Sequence, residues 1–314
     1  MRLILSQIGS LHLLLALKIQ LYFVWWAARL DWRLVLFGMS SGNTFLKGQP
    51  EMPRRRKISC FVIVFNEAER VERCLSSVAS WVDQLVILDS GSTDGTAEIC
   101  KRFTDEVHVT DWPGFGAQRN RALGLCEHDW VLNIDADEVA SRALQQEILE
   151  LMGQEELDVN LVKIPWRTIL FGRRLRFGRY SAPQGKLFLK NNAQFKQRSV
   201  HETLLIPDER SQCLQAGLDH YSWRDYKHLI AKHLDYATLS AGDKFASGKR
   251  CSLAYAYLRF FTDFFQQYVL RLGFLDGWRG LLMAGVLGQY AFHKYACLWS
   301  LHKAEDPLTE GNKP

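Results

Sequence analysis

The sequence predicts an α/β fold, and two observations carry that prediction. From Ile58 onward, short apolar runs alternate with segments whose apolar residues recur at helical spacing. Polar residues able to do chemistry fall just beyond the ends of those runs, where parallel sheets collect their ligands. A third observation, dense helical and aromatic character from about Trp223, predicts a helical region behind the sheet. The chain has 314 residues, 47% of them hydrophobic and 12% aromatic, which is material enough to fill such a core.

Residues 1–51 differ from the rest. Leu11 to Ala28 is apolar but broken by His12, Lys18 and Gln20. A spanning helix needs roughly 20 apolar residues, and a mid-span lysine costs about 2.5–3.5 kcal/mol. No small-residue cleavage site follows cleanly, so a signal peptide does not fit. Three readings stand: an interfacial segment resting on Trp25, Trp26 and Trp32, a single span, or an untranslated leader preceding Met39 or Met52. The run Arg54-Arg55-Arg56-Lys57 reads as a solvated lead into the first strand.

Ile58 to Phe65 is nearly continuous in apolar residues, as a strand buried on both faces requires. Val71, Cys74, Leu75, Val78 and Val82 follow at helical spacing. Leu85 to Leu88 is a second strand ending at Asp89, and a helix starts near Asp94. Val107 to Val109 is a third strand, Gly116 to Leu125 a helix, and Trp130 to Ile134 a fourth strand ending at Asp135. This alternation implies a parallel sheet covered on both faces. Residues 58–138 form a nucleotide-binding half, and 139–222 a second half with strands at Leu161–Ile164, Lys186–Leu189 and Ser199–Leu205. Together 52–222 read as the catalytic domain and 223–303 as the helical aromatic-rich region, which either docks on a membrane surface and captures the acceptor or packs as an ordinary helical subdomain on the catalytic core. Residues 304–314 read as a disordered tail.

Asp135-Ala136-Asp137-Glu138 is the sharpest chemical signal. Carboxylates at i and i+2 beyond a strand can face one side, and such oxygens suit Mg²⁺ or Mn²⁺ holding a diphosphate. A solvated turn that caps the next helix is the plainer alternative. Asp89, at a strand end before a Gly- and Ser-rich turn, can accept hydrogen bonds from a base or ribose, whereas Asp94 also reads as a helix N-cap. Arg119 opens a helix and can reach a diphosphate through its planar guanidinium, or pair with a surface acid. His201-Glu202 ends a candidate strand: the carboxylate can serve as a general base, the imidazole as a metal ligand or phosphate contact, or the two as a structural pair. Arg167, Arg173, Arg174, Arg176, Arg179 and Lys186 cluster in the second half. They fit an acidic acceptor, anionic lipid head groups, or a solvated basic face.

These runs resemble the family 2 glycosyltransferases of the GT-A fold. The resemblance rests on Val64-Phe65-Asn66-Glu67, Leu88-Asp89-Ser90-Gly91-Ser92-Thr93-Asp94-Gly95-Thr96, Asp111-Trp112-Pro113-Gly114-Phe115-Gly116-Ala117-Gln118-Arg119-Asn120-Arg121-Ala122, and Asp129 through Glu138. The second and third runs resemble the lipopolysaccharide core β-1,4-glucosyltransferases. The resemblance implies a UDP-sugar donor and inversion at the anomeric carbon. It implies a divalent cation at Asp137, with Asp135 on the ribose or the metal. Donor contacts would come from Asn66, Glu67, Asp89, Asp94, Arg119, Asp135 and Ala136. Glu202 and His201 would be catalytic, and Arg173 and Lys186 would meet acceptor or phosphate. The subgroup usually carries arginine where Lys186 stands. A glycolipid or lipopolysaccharide acceptor follows, with a peripheral place at the cytoplasmic side of the inner membrane.

Other classes are disfavoured. A net charge of +5 without dense Lys/Arg runs does not describe a nucleic-acid binder. Seven scattered cysteines, with no CxxC pair, describe neither a zinc site nor a disulfide framework, and they suit a reducing compartment. No Walker loop or GxGxxG follows a strand. A haloacid-dehalogenase-type phosphatase would want an acid two residues after Asp89, where Gly91 stands. A nucleotidyltransferase would want a basic Gly-rich loop where Asn66-Glu67-Ala68-Glu69 stands.

Overall fold

The computed structural model describes residues 55–196 and 203–305. At the centre lie β1 (Ile58–Val64), β2 (Gln84–Asp89) and β4 (Trp130–Asn133), buried throughout. Strand geometry sends alternate side chains to opposite faces, and the sequence fills both. Ile58, Cys60, Val62 and Val64 join one core with Leu85, Ile87, Trp130 and Leu132. Phe61 and Ile63 join the other with Val86, Leu88 and Val131. The first core is closed by α1 (Val71–Ser76), α2 (Thr96–Cys100) and α4 (Arg142–Met152), and the second by α3 (Phe115–Leu125). Cys74 and Cys100 are fully buried parts of the first core.

β1 pairs in parallel with β2 and β4, and β2 with β3 (Val107–Val109). Beyond β4 the sheet departs from the all-parallel expectation. β8 (Pro183–Leu189) adds antiparallel to β4, and β6 (Leu161–Leu170) antiparallel to β8. β12 (Leu218–His220) runs parallel to β6, and β5 (Glu138–Ala140) closes the far edge antiparallel to β12. β7 (Arg173–Arg174) and β11 (Ser211–Cys213) also pair with β6, while β9 (Gln194–Lys196) and β10 (Thr203–Leu205) form a separate ribbon. The sheet is mixed because β6 passes to β8 without an α-helix between them, and a connection with no crossover pairs strands antiparallel. Several are only two or three residues long, too short for an alternation signal.

The basic lead is a second correction. Arg55 donates to both carboxylate oxygens of Asp83, at 2.7 and 3.1 Å, and to the Trp81 carbonyl at 3.2 Å. Arg56 donates to the carbonyls of Met152, Gln154 and Glu155 after α4. These guanidiniums pin the entry of β1 to two neighbouring loops and are not merely solvated. Arg54 and all of residues 1–51 lie outside the described residues, as do the tail beyond 305 and the segment 197–202.

The last third is helical as expected: α5 (Tyr226–Ala246), α6 (Leu253–Phe265) and α7 (Trp278–Glu305). Asp225 caps α5 by accepting from the His228 amide at 2.7 Å, and Ser252 caps α6 through Tyr255 at 3.2 Å. A π-helical turn over Gln266–Leu270 and a 3-10 turn over Gly273–Asp276 join α6 to α7. Gly280 permits that turn, because a Cβ there would run into the Gly273 carbonyl. Leu229 of α5 and Met283 and Val286 of α7 bury against Leu170 and Leu175 of the sheet region. Among the described residues no helix is long and apolar enough to cross a membrane.

Candidate active site

The parallel strands deliver their carboxyl ends to one edge, and two loops are stitched together there. Asn66, in the left-handed region at φ 53°, donates its amide to Ser92 Oγ at 2.9 Å. Its side-chain oxygen accepts from the Thr93 amide at 2.9 Å. Asp89, buried at the end of β2, accepts from the Ser92 amide at 3.1 Å and from Ser92 Oγ at 2.5 Å. Asp94 accepts from Ala68 N and Thr96 N, both at 3.1 Å, just ahead of Gly95 at φ 89°. Asp94 thus ties the loop after β1 to the start of α2. Gln118 of α3 reaches Ser90 Oγ at 3.0 Å and Thr110 Oγ1 at 2.9 Å, closing the turn from the other side.

Beyond β4 the acids meet cations. Asp135 accepts from Arg119 at 2.6 Å and from Lys186 Nζ at 2.9 Å. Lys186 also donates to Glu138 Oε2 at 2.8 Å. The same oxygen accepts from the Asp135 amide at 3.0 Å, and Glu138 Oε1 accepts from Trp166 Nε1 at 2.5 Å. Burial pushes the Asp135 carboxyl up, but Arg119 and Lys186 outweigh it and bring it down to about 2. Burial raises the Glu138 carboxyl, with Lys186 opposing the rise. Burial alone would lower the Lys186 ammonium, yet Asp135 and Glu138 hold it above its usual range. The lysine therefore acts as the buried counter-charge that lets two acids share one loop.

Asp137 points to a different set of partners. Its carboxylate stands 3.5 Å from His220 Nε2, 3.6 Å from Arg70 and 3.9 Å from Lys232. Burial would raise this carboxyl, but His220, then Lys232 and Arg70, hold it well below the usual carboxylate range. The register pairs His220 with Glu138 across β12 and β5, and the Asp137 carbonyl accepts from the Tyr221 amide at 2.8 Å. The Trp166 ring lies against the imidazole, with centroids 4.5 Å apart. Nδ1 of His220 is buried without a hydrogen-bond partner.

A carboxylate and an imidazole 3.5 Å apart are a reasonable half-set of ligands for Mg²⁺ or Mn²⁺, with water or phosphate oxygens as the remainder. Among the described residues no group of three or more His, Cys, Asp or Glu forms a complete protein cage. The surrounding Arg70, Arg119, Lys186 and Lys232 already balance the acids. A further cation fits this site best in company with an anionic ligand.

Glu67 belongs to the same neighbourhood through Arg70, at 2.5 Å, and Arg224, at 3.5 Å. Lys186 sits beneath the acids, and Arg173 stands exposed on the hairpin of β6 and β7. Arg167 pairs instead with Asp219 at 2.8 Å. The arginine-rich group thus divides among separate tasks. His201 and Glu202 lie outside the described residues. Arg70, Trp166, His220 and Lys232 were not singled out from the sequence. Arg70 lies in a plain helix lead-in, and His220 in a three-residue strand with no periodic signal.

The model of Glycosyl transferase family 2 matches residues 59–207. An uncharacterized glycosyltransferase of Rickettsia bellii is 30% identical over 265 residues, covering 81% of this chain and 90% of that protein. The lipopolysaccharide core biosynthesis glycosyltransferase LpsC of Rhizobium meliloti is 29% identical over 272 residues, covering 81% and 94% respectively. A solved glucosyl-3-phosphoglycerate synthase from Mycobacterium tuberculosis, in complex with Mn²⁺, uridine diphosphate and glucosyl-3-phosphoglycerate, is 28% identical. That match covers 36% of this chain and 44% of the other, with a TM-score of 0.31.

Proposed function

The chain belongs to the family 2 glycosyltransferases, and from that premise we propose that it moves a hexose such as glucose from a UDP-sugar to a cell-envelope acceptor. The acceptor class we favour is a glycolipid of the lipopolysaccharide core type, presented at the cytoplasmic face of the inner membrane. The kinship with LpsC supports this choice. The mixed α/β sheet is GT-A-like, and the enzyme is a transferase.

One observation carries the chemistry: Asp137 and His220 face each other at the carboxyl edge of the sheet, with Asp135 clamped beside them by Arg119 and Lys186. Asp137 and His220 would hold Mg²⁺ or Mn²⁺, which neutralises charge on a departing diphosphate when bound. Asn66 and Glu67 stand on the rim nearest uracil and ribose, with Asp89 buried behind them holding the Ser92 turn, and Arg70 and Lys232 offer positive charge to phosphate oxygens. In the transfer an acceptor oxygen bonds to the anomeric carbon as the bond from that carbon to the diphosphate oxygen breaks. The electron pair leaves with UDP, and the hydroxyl proton passes to a carboxylate. Glu202 is our choice for that base. In-line attack inverts the centre through an oxocarbenium-like transition state.

The test is a donor screen that reads UDP release from purified protein with Mn²⁺ and a lipopolysaccharide extract. Asp137→Ala and Glu202→Gln should each abolish transfer without unfolding the protein. Wild-type turnover in Glu202→Gln would remove it as the base. Transfer only to a different polysaccharide or lipid-linked acceptor would redirect the acceptor assignment alone.

A further inference from the structure

Helices usually turn apolar residues inward, and α6 keeps a row of them outside. Leu258, Phe261 and Phe265 are 56, 63 and 53% exposed, and their spacing of three and four residues puts them on one face. The ridge continues through the turns into α7 with Leu270, Leu275 and Trp278, at 45, 55 and 57%. Phe260, Phe264 and Tyr268, half-buried, lead to the exposed Phe274 at ring-centroid distances of 6.4, 5.7 and 6.3 Å, one aromatic row supporting the ridge. An exposed apolar surface of this extent on a soluble protein marks an interaction site.

Charge says what it meets. The ridge is fastened to the segment after β6. The Trp278 ring stacks on Phe171 at 6.1 Å, and Arg279 donates to the carbonyls of Leu170 and Phe171, both at 3.1 Å. Asp276 accepts from the amides of Arg176 and Phe177, at 3.1 and 3.0 Å. Segments 171–181 and 258–281 together hold seven arginines and two acids; Asp263 pairs with Arg259 at 2.7 Å, and Asp276 accepts from backbone amides. Arg173, Arg174, Arg176 and Arg179 are exposed beside the apolar ridge.

We propose that this surface docks the enzyme on an anionic bilayer. The Leu258–Trp278 ridge enters the boundary between head groups and acyl chains, and the arginines of 171–181 lie on lipid phosphates. Apolar side chains flanked by arginine describe an element that rests in the interface, where burial of apolar area and attraction to anionic lipid add together. The docking stands on this surface alone, whereas its use rests on the glycolipid acceptor proposed above. β6 carries Trp166, which contacts Glu138, and then runs to Phe171 at the ridge. Five residues of strand span about 16 Å. The acidic cluster therefore lies within about 16 Å of the ridge, close enough for an acceptor sugar on a docked lipid to meet it.

The experiment is flotation of the full-length chain with vesicles of phosphatidylcholine plus phosphatidylglycerol, against phosphatidylcholine alone. The wild type should float with the anionic vesicles. The combined substitution Phe261→Ser, Phe265→Ser and Leu275→Ser should cut that partitioning by about tenfold or more. Arg176→Glu with Arg179→Glu should weaken it by about tenfold at low salt. Acceptor-independent UDP release in detergent should stay at the wild-type level in the serine variant, so that lost flotation cannot be lost folding. Undiminished flotation of the serine variant overturns the surface, as does a wild-type dimer in sedimentation that these substitutions dissolve. Failure of UDP release in the wild type would instead sink the donor chemistry and leave the docking result standing.

Discussion

Lys186 is the residue on which the acidic loop depends. It is buried and donates to Asp135 at 2.9 Å and Glu138 at 2.8 Å. A methionine there keeps most of the volume and removes the charge, leaving the fully buried Glu138 without a cation while Asp135 keeps only Arg119. Lys186→Met should therefore destabilise the fold by about 3–5 kcal/mol, the cost of breaking a buried pair from one side. Urea denaturation checks this, and a change under about 1 kcal/mol would mean the pair is solvated. His220 makes a prediction of a different kind. If it holds the cation with Asp137, His220→Ala should raise the Mn²⁺ concentration needed for half-maximal activity by at least about tenfold, with little change in melting temperature. The balance of charge adds that Mn²⁺ alone should bind weakly and Mn²⁺ with UDP tightly, which calorimetry with and without the nucleotide would read.

Among elements, the entry of β1 has a measurable pH signature. Burial pushes the Asp83 carboxyl up, but the Ile58 amide and the Arg55 guanidinium outweigh it and leave it below its usual value. A carboxyl lowered in the folded state adds stability above its unfolded pKa of about 3.9, and that stability is lost as pH falls through the lower folded value. The melting-temperature gap between wild type and Asp83→Asn should thus be widest near neutrality and shrink below about pH 4. A constant gap would assign the effect to packing alone. The short strands β5 and β12 matter in another way. Each has three residues, yet their pairing sets His220 opposite Glu138 and ties Tyr221 to Asp137.

At the scale of the molecule, the helical third is continuous with the site. Lys232 of α5 reaches Asp137 at 3.9 Å, and Tyr180 meets His233 at 3.0 Å. Leu229, Met283 and Val286 complete a core with Leu170 and Leu175. A chain ending after Ser222 would expose that core and lose a cation from the site. It should be recovered mainly in the insoluble fraction, and a soluble truncation with wild-type UDP release would contradict this. The full-length serine variant is for that reason the better probe of membrane docking.

The sequence alone determined the parts built on local pattern. Apolar runs at Ile58, Leu85 and Trp130 marked the central strands, because a strand buried on both faces needs apolar residues at successive positions. The acids just past those runs marked the site edge, and helical spacing after Trp223 marked α5 to α7. Tertiary structure alone decided what closes the site. Arg70, Trp166, His220 and Lys232 come from four separate segments, and each takes its place through a partner distant in the chain; Lys186 was visible as a candidate contact, but not as the buried partner of Asp135 and Glu138. Three-residue strands have no periodicity to read, and a buried ion pair leaves no mark on either residue's neighbours. Those choices are made by pairing register and by the need of each buried charge for a counter-charge, which exist only once the chain has folded.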